Sequence, residues 1–256
     1  MASFTPRAAV ELFHLVFLRA LVAKGDDKKL IALKGGCNLR FYFASIRYSE
    51  DIDFDVVVVR KDTLFKKVDG LLRSPLVVAP LKTSGIELSE TSAPKQTETT
   101  QRWKVGLRVA GLSVPLRTKI EFSRRGDRID GAVFEATTPE LLRPYGLTPI
   151  LATHYATHAA IVQKIHALAA RTEPQARDVF DVSHLLARSD ALGLSLVGGQ
   201  KAWLSAAVDN AMSVSYDDYI AKVVAYLDPA QAELFSEKAT WNAMQSAVVS
   251  RLEALG

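Results

Sequence analysis

The stretch that most constrains this chain is residues 30–59, where two apolar runs bracket a pair of glycines and a cluster of acids. Leu30 to Leu33 reads as an apolar strand, Gly35-Gly36 as a turn, and about Cys37 to Phe43 as a short helix. In the second run Ile52, Phe54 and Val56 alternate with Asp51, Asp53 and Asp55, the period of a half-buried strand. Side chains two apart on a strand share a face, so Asp51 and Asp53 project together with Asp55 below them. Carboxylates that close repel one another. A divalent metal removes the repulsion, because Mg²⁺ takes one or two carboxylates and completes its shell with water and phosphate. The glycine turn one strand earlier offers backbone N–H groups to the same phosphates. For the carboxylates alone, an exposed strand decorated with acids is the competing reading.

At 256 residues the chain is long enough for one large domain or two smaller ones, and its 48% hydrophobic and 23% charged residues are those of a globular protein. No apolar run approaches the ~20 residues that span a bilayer. The longest, Leu12 to Ala23, is interrupted by His14 and Arg19, and the N-terminus lacks a signal-peptide layout. A single cysteine excludes an internal disulfide and a cysteine-based metal site, so a cytoplasmic protein is expected. The net charge of +4 hides a division: residues 1–130 hold 23 Lys and Arg against 15 Asp and Glu, and residues 131–256 hold 9 against 13. A basic surface around an acidic metal site suits a polyanionic substrate.

Thr5 as N-cap and Pro6 at the first helical position open a helix with an apolar stripe of Val10, Phe13, Phe17, Leu18 and Leu21, ended by Gly25-Asp26-Asp27. His14 within it is read as a packing or surface residue. Lys61 to Leu72 predicts a helix, and Leu76 to Ala79, between Pro75 and Pro80, a short strand. Ile86 to Arg124 has a β pattern: Ser89 to Thr100 is an exposed strand or loop, and Trp103–Ala110 pairs with Val114–Phe122 around Gly111-Leu112-Ser113. Period two then places Lys119 and Glu121 on one face and Ile120 and Phe122 on the other. By itself Glu121 reads as well as a cross-strand ion pair as it does a metal ligand.

Arg102, Lys104, Arg108, Arg117, Lys119, Arg124, Arg125 and Arg128 crowd into the hairpin region, where they would meet a nucleic-acid backbone; Arg124, Arg125 and Arg128 are the RNA contacts expected first. Trp103 and Tyr48 are either stacking platforms or core. Thr138 caps a helix with Pro139 at its first position, and the turn from Arg143 to Pro149 divides residues 1–148 from a helical region, 149–256. Helices are expected at about 152–171, 174–188, 199–212, 216–227 and 230–254. Lys164 and Arg171, seven apart, share a helix face, and Asp178 and Asp181 lie on neighbouring turns of the next helix, together a salt-bridge set. His154 and His158 are spaced as a zinc pair on a helix, but no third ligand accompanies them and no metal is assigned.

The run GG-x-x-L at residues 35–39 followed by R-x-S-x-D-I-D-F at 47–54 resembles the signature of the nucleotidyltransferase superfamily. More narrowly it is similar to the AbiEii/AbiGii type, the toxin halves of bacterial toxin–antitoxin and phage abortive-infection pairs. Cys37 departs from the pattern, which usually has a small hydroxyl residue there. The resemblance implies an α/β (α+β) fold, a mixed sheet with flanking helices followed by a helical region that completes the nucleotide site. It implies a nucleotidyltransferase that uses Mg²⁺, with Mn²⁺ as a substitute, to transfer NMP from an NTP to RNA, a tRNA 3′ end in particular, under restraint by an antitoxin. Asp51 and Asp53 would hold the metal, with Glu121 as third carboxylate. Gly35, Gly36 and Ser49 would hold phosphate oxygens, with Arg47 and Lys164 balancing their charge. Asp178 or Asp181 would orient that lysine or the base. A protein or small-molecule hydroxyl as acceptor, and a binding protein without turnover, are the alternatives.

Overall fold

A computed structural model describes residues 4–23, 29–124 and 126–256. The expected turn at Gly25-Asp26-Asp27 and the expected RNA contact Arg125 lie outside them. The chain forms two compact units, the first comprising residues 1–44 and 48–155 and the second residues 45–47 and 156–256.

The first unit is built on a seven-stranded mixed sheet. Helix α1 (Pro6–Val22) precedes it, capped by Thr5, whose side chain accepts from the Ala8 N–H. Then come β1 (Ile31–Lys34), α2 (Gly35–Tyr42), β2 (Ile52–Val56), α3 (Lys61–Leu72), α4 (Pro75–Thr83), β3 (Ile86–Gln96), β4 (Thr100–Val109), β5 (Leu116–Ser123), β6 (Ala132–Ala136), the single-turn α5 (Pro139–Leu142) and β7 (Leu151–Tyr155). The spatial order is β3-β4-β5-β2-β1-β7-β6. The pairs β2–β5 and β1–β7 are parallel and the others antiparallel.

The alternation read in β2 decides its two faces. Ile52, Phe54 and Val56 are buried, and in β5 Ile120 and Phe122 lie beside Ile52 and Phe54. Phe54 stacks on Phe122 at 4.9 Å and meets Phe17 of α1 at 6.3 Å, while Trp103 of β4 sets its edge against Phe122 at 5.9 Å. Trp103 is thus core, not a stacking platform. Truncating a buried phenylalanine in such a cluster costs about 3–5 kcal/mol. Tyr48 is buried beneath the Arg40 guanidinium, 4.3 Å from its ring centre. The opposite face of β2, β5 and β4 carries Asp53, Asp55, Glu121, Lys119, Arg102 and Lys104.

Two segments of this unit differ from expectation. Residues 75–83 form α4, not a strand: Pro75 sits at its first position, and the four-residue spacing of Val77 and Leu81 puts both into the core. Residues 151–155, expected to begin a helix, form β7. Its His154 pairs with Leu33 on one side and Val133 on the other, and sheet bonds along both edges outweigh the weak helical preference of a short Ala-containing run.

The second unit is helical: α6 (Thr157–Ala170), α7 (Ala176–Leu186), α8 (Leu204–Ser213), α9 (Tyr216–Lys222), α10 (Pro229–Phe235) and α11 (Lys238–Glu253). The helix expected at 199–212 opens with a 3₁₀ segment, Gly198–Trp203, and that at 216–227 closes with another, Val224–Tyr226. The helix expected at 230–254 is broken between α10 and α11. There the Tyr219 hydroxyl donates to the Phe235 carbonyl at 2.9 Å and the Tyr216 hydroxyl to that of Ser236, taking the acceptors that a continuous helix would use internally. Tyr219 also stacks on Trp241 at 4.6 Å, which seats the start of α11.

Candidate active site

The first cluster gathers where β1 runs into α2. Lys34 stands directly across from Asp53, and the next residue, Gly35, has φ +70°. A β-carbon placed on Gly35 would lie 2.9 Å from Asp53 Oδ2. Glycine is therefore required twice here, by the left-handed backbone and by the carboxylate that occupies the space. Lys34 supplies no side-chain cap to α2, so no side chain from the N-cap position takes the first-turn N–H groups, Gly35 and Gly36 among them.

Around Asp53 the carboxylates each have a cation. Asp51, the residue just before β2, pairs with Lys119 at 2.9 Å. Asp55 accepts from Lys34 and from the Tyr155 hydroxyl at 2.7 Å. Glu121 is in register beside Asp53 in the parallel β2–β5 pair and accepts from Arg102 at 2.6–2.7 Å. The Ser49 hydroxyl donates to the Asp51 carbonyl at 2.9 Å. Sequence reasoning missed the cations Lys34, Lys119 and Arg102 as partners of this cluster. Lys119 shares a face with Glu121 by spacing, but only the register brings it to Asp51.

Among the described residues no three or more His, Cys, Asp or Glu side chains form a ready-made metal cage. Mg²⁺ does not need one, and Asp51 and Asp53, hard oxygen donors with Glu121 adjoining, fit an ion that takes one or two carboxylates from the protein and the rest from water and phosphate. Mn²⁺ fits the same donors. His154 is no ligand partner of His158, because it lies on β7 and not on a helix. It stacks on Tyr42 at 3.6 Å and its Nδ1 faces Asn38 Oδ1 at 2.9 Å. Burial pushes its imidazole down to about 4.

The second cluster belongs to the helical unit. Asp178 and Asp181 of α7 are both about 1% exposed. Asp181 is gripped by Arg47 through contacts of 2.9–3.2 Å and by Lys164 of α6 at 2.7 Å. Asp178 is bound by Arg171 and lies 3.7 Å from Lys164. Burial works to raise the Asp181 carboxyl, but Arg47 and Lys164 outweigh it and hold it at about 2. Three cations, Arg47, Lys164 and Arg171, thus face the two carboxylates. Lys164, with a side chain 14% exposed against 6% for Arg47, is the more accessible of Asp181's two cations. Arg47 is buried against Asp181.

Of the basic residues expected to meet RNA, Arg124 donates to the Val59 carbonyl and to Gln101 Oε1, and Arg128 faces Asp130 at 3.2 Å. On the outer face of β4 and β5, Lys104, Arg108 and Arg117 are exposed, and Lys104 stands directly across from Lys119.

One unit sets an acidic strand against a glycine turn and the other braces a lysine between two buried aspartates, and the family that the chain matches is one of nucleotidyltransferases. The chain belongs to the AbiEii nucleotidyl transferase toxin family of type IV toxin–antitoxin systems, which matches residues 16–254. Among solved structures it is similar to MenT4, a nucleotidyltransferase toxin from Mycobacterium tuberculosis H37Rv, at 17% identity and a TM-score of 0.61 over 99% of this chain and 87% of that one. It is also similar to JHP933 from Helicobacter pylori, at 18% identity and a TM-score of 0.59 over 99% and 96%. At these identities the likeness is one of fold. No curated protein matches the chain.

Proposed function

We propose that this toxin transfers a nucleoside monophosphate from an NTP to the 3′ hydroxyl of an RNA, a tRNA in particular, with Mg²⁺ held by Asp51 and Asp53 and Glu121 as the third carboxylate. The observation that carries this reading is the fit of the Asp53 carboxylate into the space left by Gly35, which unites the acidic strand and the glycine turn in one place. When bound, the metal would neutralise charge on the phosphates and favour the deprotonated acceptor hydroxyl. The residues of this chain position and balance charge. Gly35 and Gly36 present the first turn of α2 to phosphate oxygens. Lys164, set by Asp181 and Asp178, serves as a cation for the triphosphate. Ser49 fixes the backbone that carries Asp51. As the bond from the acceptor oxygen to the α-phosphorus forms, the bond to pyrophosphate breaks.

RNA is favoured as acceptor by the outer face of β4 and β5. Lys104 stands opposite Lys119, and since Lys119 is already paired with Asp51, it is the charge of Lys104 that an anion would offset. Among the described residues Lys104, Arg108 and Arg117 take part in no ion pair, so they are better placed than Arg124 and Arg128 to meet phosphates. The chain's action would be restrained by a cognate antitoxin, and the cytoplasm, where NTPs and tRNA are found, is the expected compartment. Among the described residues no helix is long and apolar enough to cross a membrane. Incubation with each labelled NTP, Mg²⁺ and total RNA tests the reading: label on RNA supports it, and label on protein alone moves the acceptor to a protein hydroxyl.

A further inference from the structure

β2 begins at Ile52, so Glu50 and Asp51 lie just before the strand. Buried side chains from three other elements converge on their backbone. Thr118 of β5 donates its hydroxyl to the Glu50 carbonyl at 2.8 Å. Cys37 of α2 directs its thiol at the Asp51 carbonyl at 3.3 Å. His14 of α1 joins the two, with Nε2 2.7 Å from Thr118 Oγ1 and Nδ1 3.5 Å from Cys37 Sγ. All three are within 3% of full burial.

The hydrogens can be counted. A threonine hydroxyl has one proton, and here it goes to the Glu50 carbonyl, so His14 Nε2 must carry the hydrogen that meets Thr118 Oγ1. The neutral ring then has a bare Nδ1, which packs 3.5 Å from Cys37 Sγ, while the one thiol hydrogen goes to the Asp51 carbonyl. The tautomer follows from the Thr118 hydroxyl, whose only hydrogen is committed to the Glu50 carbonyl.

We infer that His14, Thr118 and Cys37 are positioning residues for the metal site, a buried relay that holds the Glu50 and Asp51 carbonyls so that the Asp51 carboxylate meets the ion beside Asp53. The inference rests on Asp51 being a metal ligand. It accounts for the buried histidine of α1, and for a cysteine at position 37: a thiol and a serine hydroxyl both donate to the Asp51 carbonyl, whereas alanine cannot.

The test is Mn²⁺ binding, measured by calorimetry on the full chain without nucleotide, for wild type, Thr118→Val, Thr118→Ser, Cys37→Ala, Cys37→Ser and Asp51→Asn. Valine keeps the shape and the strand preference of threonine and removes the relay. Supporting groups of this kind alter metal affinity by about 10–100-fold. Thr118→Val is therefore expected to weaken Mn²⁺ binding at least tenfold and to lower kcat at unchanged KM for the NTP, with Thr118→Ser restoring both. Cys37→Ser should match wild type and Cys37→Ala should fall below it. If Asp51→Asn abolishes binding while a folded Thr118→Val binds as wild type, the relay is overturned and the metal site stands. If Asp51→Asn binds as wild type, the metal assignment itself fails, and the relay with it. Nitrogen-15 spectra of the wild-type imidazoles decide independently of how any variant folds: the hydrogen on Nε2 of His14 is expected, and a hydrogen on Nδ1 would overturn the relay.

Discussion

Gly35 and Asp53 are fitted to each other, because a β-carbon on Gly35 would come within 2.9 Å of Asp53 Oδ2, at a backbone φ of +70°. Gly35→Ala therefore combines a left-handed backbone strain of about 1–2 kcal/mol with displacement of the carboxylate. In a chain of this size that strain lowers the melting temperature by a few degrees, at roughly 2–4 °C per kcal/mol. Nucleotidyl transfer should fall by at least about tenfold, since a supporting contact to a metal ligand is lost. Melting curves beside transfer assays check the pair of effects; transfer that falls no more than the folded fraction would show Gly35 to be structural only.

The charge cluster of the helical unit predicts an order of effects. Lys164→Ala leaves Asp181 with Arg47 and Asp178 with Arg171, so stability should fall by only about 2 kcal/mol while NTP affinity falls clearly. Arg47→Ala removes a guanidinium buried on a buried carboxylate and should cost about 3–5 kcal/mol. Chemical denaturation with NTP titration measures both. An unchanged NTP affinity in Lys164→Ala would remove this lysine from the triphosphate.

His14 makes stability depend on pH. Burial lowers its imidazole to about 3, against about 6.5 in the unfolded chain. A depressed folded value means that the contribution is complete above the unfolded pKa and is lost as pH falls from there toward 3. Between pH 7 and pH 5 the loss from this residue is about 2 kcal/mol. His154, lowered to about 4, acts in the same direction. Urea unfolding at the two pH values should show that His14→Gln loses less stability on acidification than wild type by about that amount; equal losses would mean that His14 is protonated in the fold.

If the outer face of β4 and β5 carries RNA, joint replacement of Lys104, Arg108 and Arg117 by Ala should reduce the slope of log affinity against log salt by up to about three contacts, at roughly 0.7–0.9 per contact. NTP affinity should remain. Titrations of tRNA across salt concentrations measure the slope, and an unchanged slope would take this face out of the RNA path.

The parts legible in the sequence were those with a local signal. The alternation around Asp53 named both faces of β2 and Thr5-Pro6 marked the start of α1, whereas the glycine pair, expected as a turn before a helix from about Cys37, forms the first two residues of α2. Partners chosen by register or by distant chain were not legible. Nothing in residues 45–49 points to the pairing of Arg47 with Asp181, 134 positions away. Lys119 reaches Asp51 across 68 residues through the parallel β2–β5 pairing, which no periodicity encodes. The strand at 151–155 was hidden for the related reason that β7 is held by its neighbours on both sides and has little strand preference of its own.

The central claim is that Asp53 is a metal-binding carboxylate of nucleotidyl transfer to RNA. The most direct measurement is transfer of α-labelled NTP to purified tRNA with Mg²⁺, for wild type and Asp53→Asn, with melting temperatures recorded for both. Wild type should label the RNA, and Asp53→Asn should reduce labelling by several orders of magnitude at an undiminished melting temperature, because removing one of several repelling carboxylates relieves the fold. Labelling of tRNA by Asp53→Asn at the wild-type rate would contradict the account.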